Sequence, residues 1–342
     1  MAMDKSAADA FVYAKASGML ARSFTGSRAV ALFKTNSLHE LWNLVFKTEV
    51  PSIPEKLLAK EIESQAQNAF VCDYIKLLSN YEKPDPLLID ILELYEYSNL
   101  KEIAAALCFN EKEIPSCTDI KQYSHLHYDK WPSLKAITEG TEFSWYNKVP
   151  EVDQLKNNDF LLDLQHIKKI WKAVNKLHGE AGTEIKKIVR ERYSLENIIW
   201  ALRLKVYYKM SADEIIKNLS FVEKENSIQD PIGGEAVKIL NWETDSYQPW
   251  SKWKYRKYLN PNEEGTVWNL VPKYFALSVK KINVKKAEHL FHQFPDTFTP
   301  LFCYFMLKEN EVDMIRMASE ALRLDANMDN ALVRAGLEAK NG

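Results

Sequence analysis

The chain has 342 residues with 45 Lys+Arg against 47 Asp+Glu, a formal net charge of −2, and is 46% hydrophobic and 27% charged. That balance excludes a disordered chain, and the length predicts two or three domains. Only 10 glycines are present, against a usual share of roughly 7%, which leaves little for tight sheet turns or phosphate-cradling loops and predicts an all-α class.

Helical periodicity dominates in chain order. "FVYAKASGMLARSF", Phe11 to Phe24, spaces Ala14, Gly18 and Ala21 as one small-residue helix face suited to close approach of another helix. "SLHELWNLVFKTEVPSIP" opens on a capping box, Ser37 with Glu40, carries an apolar stripe from Leu38 to Phe46, and stops at Pro51 and Pro54. Amphipathic segments follow at "PEKLLAKEIESQAQNAFVCDYIKLL" and "LLIDILELYEYSNLKEIAAAL". The middle third repeats the pattern in two long segments joined through "HGEAG", with Thr183 read as the cap of the second, then a capping box at Ser211 and Glu214 and a loop at "ENSIQDPIGGE". The last third holds three more helical segments and a polar tail from about Asp325. "YEYSNLKEIAAAL" from Tyr95 echoes "YSLENIIWALRLK" from Tyr193 and, more faintly, "ENEVDMIRMASEA" from Glu309. The spacing of about 100 residues predicts three related helical domains, at 1–112, 113–230 and 231–324, with a tail at 325–342.

Signatures of chemistry are sparse. No GxxxxGK[ST], GxGxxG, HExxH or GxSxG stands in the chain. Cys72, Cys108, Cys117 and Cys303 show no paired spacing and read as reduced thiols of a cytoplasmic protein. Asp4 and Lys5 interrupt any leader core, and the longest uncharged stretch near a candidate span, Thr297 to Leu307, has 11 residues, where a bilayer helix needs about 20. Neither a signal peptide nor a membrane span is expected. His289 with His292, and His125 to Asp129, have metal-ligand residue types but no completing set, and read as structural or surface groups. Glu93 with Glu96, and Asp213 with Glu214, read as solvated faces. No catalytic, metal or cofactor residue is assigned, and the chain is not expected to be an enzyme.

Charge is uneven: Tyr247 to Lys286 holds nine Lys/Arg and two Glu, a local +7 that leaves −9 for the rest. Its core, "YQPWSKWKYRKYLNPNEEGTVW", interleaves Trp250 and Trp253 with Lys252, Lys254, Arg256 and Lys257. Such a segment can meet a protein partner or membrane surface, can stack on nucleic acid, or can simply pack its Trp residues inwards with the lysines solvated. No nucleic-acid partner is expected. A helical adaptor binding a peptide or acidic partner through 247–286 is the alternative function.

The Phe11–Phe24 stretch followed by "SLHELWNLVFKTEVPSIP" resembles the amino-terminal signature of the C/d (AC39-type) subunits of V-type and A-type rotary ATPases. Tyr95, Asn99 and Leu100, then Tyr193, Asn197 and Ile198, resemble that family's recurring Asn-Leu helices, while the third copy reads Asp313-Met314. The resemblance implies three similar helical domains in a pseudo-threefold funnel around a central cavity. It implies a non-catalytic central-stalk subunit, monomeric alone and present once per complex, on the inner face of the membrane. Its implied partners are the D/F-type shaft subunits of the soluble head and the rotor-ring proteolipid, with no cofactor. Tyr95, Asn99, Tyr193 and Asn197 are expected to be architectural, each Asn bonding between helices, and the small face of Ala14, Gly18 and Ala21 is expected to stiffen the coupler by dense packing.

Overall fold

The computed structural model describes residues 3–263 and 266–337. Among them are thirteen α-helices and no strand, only an isolated parallel bridge between Met3 and Tyr81. In chain order these are α1 (Lys5–Leu20), α2 (Leu38–Phe46), α3 (Glu55–Leu78), α4 (Pro86–Leu92), α5 (Leu94–Cys108), α6 (Leu134–Thr138), α7 (Val152–Val174), α8 (Gly179–Val206), α9 (Ala212–Ile216), α10 (Gly234–Lys238), α11 (Pro272–Gln293), α12 (Thr299–Arg323) and α13 (Met328–Arg334). No helix among the described residues is long and apolar enough to cross a membrane.

Side chains fix the helix ends. Ser37 accepts the Glu40 N–H at the start of α2, while the Glu40 carboxylate takes the N–H of Asn36 at 2.7 Å. Asp85 accepts the Leu87 N–H ahead of Pro86, whose missing donor is harmless at a first helical position. Ser211 and Glu214 close both halves of their capping box, as do Glu151 and Gln154 ahead of α7. The second long middle helix begins at Gly179, four residues before Thr183, whose hydroxyl donates back to the Gly179 carbonyl within the first turn.

The chain forms two compact units. One combines the residues up to Lys5 with Gln67–Lys176. Its core gathers Tyr97, Leu100, Ile103 and Ala104 of α5 against Leu126, Leu134, Ile137, Phe143, Tyr146 and Leu162. Helix α7 packs on both α4 and α5. The other unit combines Ser6–Ala66 with Leu177 onward and includes two apolar clusters among the described residues. The first surrounds Leu195, Ile198 and Leu202 of α8 with Trp250, Trp253, Trp268 and Phe275. The second sets Leu32, Leu41, Leu58 and Ile62 against Met314, Ile315 and Ala318 of α12, and α13 adds Ala331 and Leu332. Burying a Leu- or Ile-sized side chain contributes about 1.5–3 kcal/mol, so these clusters hold the helices.

Three sequence expectations are corrected. Ala14, Gly18 and Ala21 are exposed, and a methyl added at Gly18 meets no atom within 4 Å. The packed face of α1 is instead Ala8, Val12 and Ala16, because α1 docks by its 8–12–16 stripe. Glu93 and Glu96 are buried, since α5 is enclosed on more sides than its charge pattern suggests. The stretch after Asp325 carries α13, whose two apolar side chains suffice to pin a short helix capped by Asn327. Residues 338–342 of the expected tail lie outside the described residues.

Candidate functional site

In each of the two units an asparagine on a repeat helix clamps a loop. Asn99 on α5 is 4% exposed; its amide nitrogen donates to the Thr118 carbonyl at 2.8 Å and its oxygen accepts the Thr118 N–H at 2.8 Å. The Tyr128 hydroxyl takes the second amide hydrogen at 2.8 Å. Asn197 on α8 does the same to Ser220, donating to its carbonyl at 2.9 Å and accepting its N–H at 2.9 Å, with the Ile232 carbonyl as its third partner at 3.1 Å. A primary amide satisfies one residue's N–H and C=O together, as a neighbouring β-strand would. The bonds therefore run from helix to loop backbone and not between helices. Tyr95 is buried with its ring against Phe70 at 6.2 Å, and Tyr193 is half-buried. Asp313, at the third echo position, is 44% exposed and pairs with Arg316 and Lys280.

Carboxylates finish these loops. One oxygen of Glu96 accepts from the Ser124 hydroxyl and from the N–H groups of His125 and Leu126. Asp230 takes the N–H groups of Val222, Glu223 and Lys224 on one oxygen and those of Ile232 and Gly233 on the other. Burial alone would push the Asp230 carboxyl up, but the converging N–H donors outweigh it and hold it below the ordinary carboxylate range. The sequence signal for Asp230 is an Asp opening the D-P-x-G-G turn; for Glu96 it is only the i, i+3 step to Asn99.

Ionic groups tie helices within each unit. Lys169 of α7 reaches Glu93, Glu142 at 2.7 Å and Asp90 at 3.8 Å. His166 bonds the Asp90 carbonyl at 2.8 Å, and His125 meets Glu93 at 3.2 Å. Burial, only partly offset by Lys169, pushes the Asp90 carboxyl up to about 6, and Glu93, Glu142 and Asp85 add to the rise. In the other unit Arg192 grips Glu309 through two parallel bonds of 2.8 and 3.0 Å, joining α8 to α12. The Glu309 carboxylate holds that guanidinium well above its ordinary value despite burial. His289 and His292 are exposed; the ring of His292 meets the Tyr13 hydroxyl at 3.0 Å. Among the described residues no three His, Cys, Asp or Glu side chains group as metal ligands.

The basic aromatic segment splits by side. Trp250, Trp253, Tyr255 and Tyr258 are buried, with Trp253 stacked on Phe275 at 5.5 Å. Trp250 donates its indole N–H to the Glu243 carbonyl at 2.7 Å, and Trp253 donates to Glu235 at 3.2 Å. Neither Trp is available to a partner, because both are needed to fill the core beside α8. Lys252, Lys254, Arg256 and Lys257 all remain exposed.

The all-helical class is what the sequence resemblance implies, and comparison with known families shows the family. The profile described as ATP synthase (C/AC39) subunit matches residues 12–332. The chain belongs to that family. Its members are accessory subunits of V/A-type ATPase complexes, and the match begins in α1 and ends in α13. A curated relative, an uncharacterized protein of Treponema pallidum (strain Nichols), is 28% identical over 327 residues, 94% of each chain.

Proposed function

We propose that this AC39-family chain is the non-catalytic central-stalk subunit of a V/A-type rotary ATPase, passing rotation between the shaft subunits of the soluble head and the membrane rotor ring. The family match over residues 12–332 carries this reading. The packing suits it. A coupler must resist bending, and α12 is fastened to its neighbours by the Arg192–Glu309 grip, by Arg316 with Glu63, and by the Ser319 hydroxyl on the Ala59 carbonyl.

The proposed architecture is three helical repeats. Three apolar clusters support it, because each contains one of the residues that follow the echo position: Leu100, Ile198 and Met314. In this reading the third repeat is completed by Ala29 to Ala66, which share its core, so the amino-terminal segment belongs with the last repeat and not with the first.

A tagged pull-down from gently solubilised native membranes, read by mass spectrometry, tests the role. Shaft subunits and rotor-ring proteolipid are expected together. Recovery of neither, from membranes that contain an intact rotary ATPase, overturns it and leaves the helical adaptor. Reversing charge with Lys254→Glu and Arg256→Glu is expected to lower recovery of the complex.

A further inference from the structure

We propose that Lys252, Lys254, Arg256 and Lys257 form an electrostatic contact for the headgroups of an anionic bilayer. The inference rests on the reading of the chain as a membrane-adjacent subunit.

The geometry of the strip carries it. From Trp250 to Leu259 the chain runs through successive turns, with the Trp253 N–H on the Trp250 carbonyl, Arg256 on Trp253 and Leu259 on Arg256. Buried and exposed side chains interleave: Trp250, Trp253, Tyr255, Tyr258 and Leu259 point into the core, and every exposed side chain between them is a cation. The aromatic anchors thus turn inwards and leave the four cations at the surface. Lys254 and Lys257 also lie over the rings of Tyr255 and Tyr258, at 4.8 and 4.9 Å from the ring centroids. Glu235 pairs with Lys254 at 3.3 Å. Among the described residues no carboxylate pairs with Lys252, Arg256 or Lys257.

The composition selects the partner. A protein interface core favours Tyr, Trp and Arg and is depleted in Lys, but here the aromatics are spent inside and three of the four exposed cations are lysines. No exposed aromatic remains in the strip to stack on a base, which a single-stranded nucleic acid needs. Lysines on long flexible stems over a flat, diffuse negative surface are the arrangement of juxtamembrane basic segments. Each such cation multiplies partition onto an anionic bilayer roughly fivefold.

The test is co-sedimentation of the full chain with vesicles of phosphatidylcholine, with and without phosphatidylglycerol, at low and high salt. Wild type is expected to sediment only with the phosphatidylglycerol vesicles and to be released by salt. The triple variant Lys252→Ala, Arg256→Ala, Lys257→Ala is expected to bind about a hundredfold more weakly, with an unchanged thermal transition because these side chains are exposed. Equal binding to both vesicle types, or equal binding by wild type and variant, overturns the proposal. If wild type ignores the anionic vesicles while the variant loses the rotor ring in the native pull-down, the strip meets an acidic protein surface. The bilayer contact is then wrong and the coupling role stands.

Discussion

Asn99→Ala probes the feature that the two units share. The substitution removes both bonds to Thr118 and the one to Tyr128, and Thr118 is 8% exposed, so water cannot replace them. A buried backbone group left without a partner costs about 1–3 kcal/mol. With the Thr118 N–H and C=O both orphaned, the loss is about 2–6 kcal/mol. Asn197→Ala acts on Ser220 and Ile232 in the same way, slightly less because Ser220 is half-buried. Asn99→Asp keeps an acceptor for the Thr118 N–H but sets a carboxylate against the Thr118 carbonyl, so it should rescue little. Asp313→Ala loses only half-exposed ion pairs, worth about 0–1 kcal/mol. Hydrogen exchange by mass spectrometry reads the effect locally, without assuming one cooperative transition for two units. The peptides containing Thr118 and Ser220 should lose protection in the respective alanine variants. If those amides stay protected, or if Asp313→Ala costs as much as Asn99→Ala, the clamp is not what the two repeat helices share and the argument fails.

Further outcomes follow from the same structure. Asp90 has its carboxyl raised to about 6 from the ordinary 3.8, so its contribution is full below the ordinary value and is lost as pH rises through about 6. Asp90→Asn should therefore stabilise the protein at neutral pH, by less than the roughly 3 kcal/mol that a fully buried shift of this size implies, and flatten the melting temperature between pH 4 and 6; a lower melting temperature at pH 7 contradicts this. For Asp230 the sign is opposite: its carboxyl is held down by backbone donors, so stability is present above the ordinary carboxylate value and lost as pH falls through the depressed one. Asp230→Ala orphans five N–H groups and should cost at least about 3 kcal/mol in denaturant unfolding; a change below 1 kcal/mol refutes that weight. Gly18→Ala should raise stability by about 1 kcal/mol, since the site is open and helical, whereas Gly234→Ala should destabilise because its methyl would lie 2.3 Å from the Ile228 carbonyl oxygen. Thermal melts of the two variants decide both.

The sequence by itself determined the helical class, most helix ends and the family. These depend on local chemistry: the Ser211–Glu214 box forms from four adjacent residues, and Pro86 and Asp85 start α4 wherever it packs. It also singled out Asn99 and Asn197, because a polar side chain recurring in an apolar helical run is visible in the pattern. Which atoms those amides hold was decided by tertiary structure alone, since Thr118 and Ser220 lie 19 and 23 residues away and reach the amides only once the loops fold back. The same holds for the faces. Periodicity gives α1 a small-residue stripe at Ala14, Gly18 and Ala21 and a second at Ala8, Val12 and Ala16, and nothing local says which one finds a neighbour. The basic aromatic segment shows the limit best: its alternation was legible, but whether Trp250 and Trp253 turn inwards depends on the space beside α8, Trp268 and Phe275, which exists only in the folded chain.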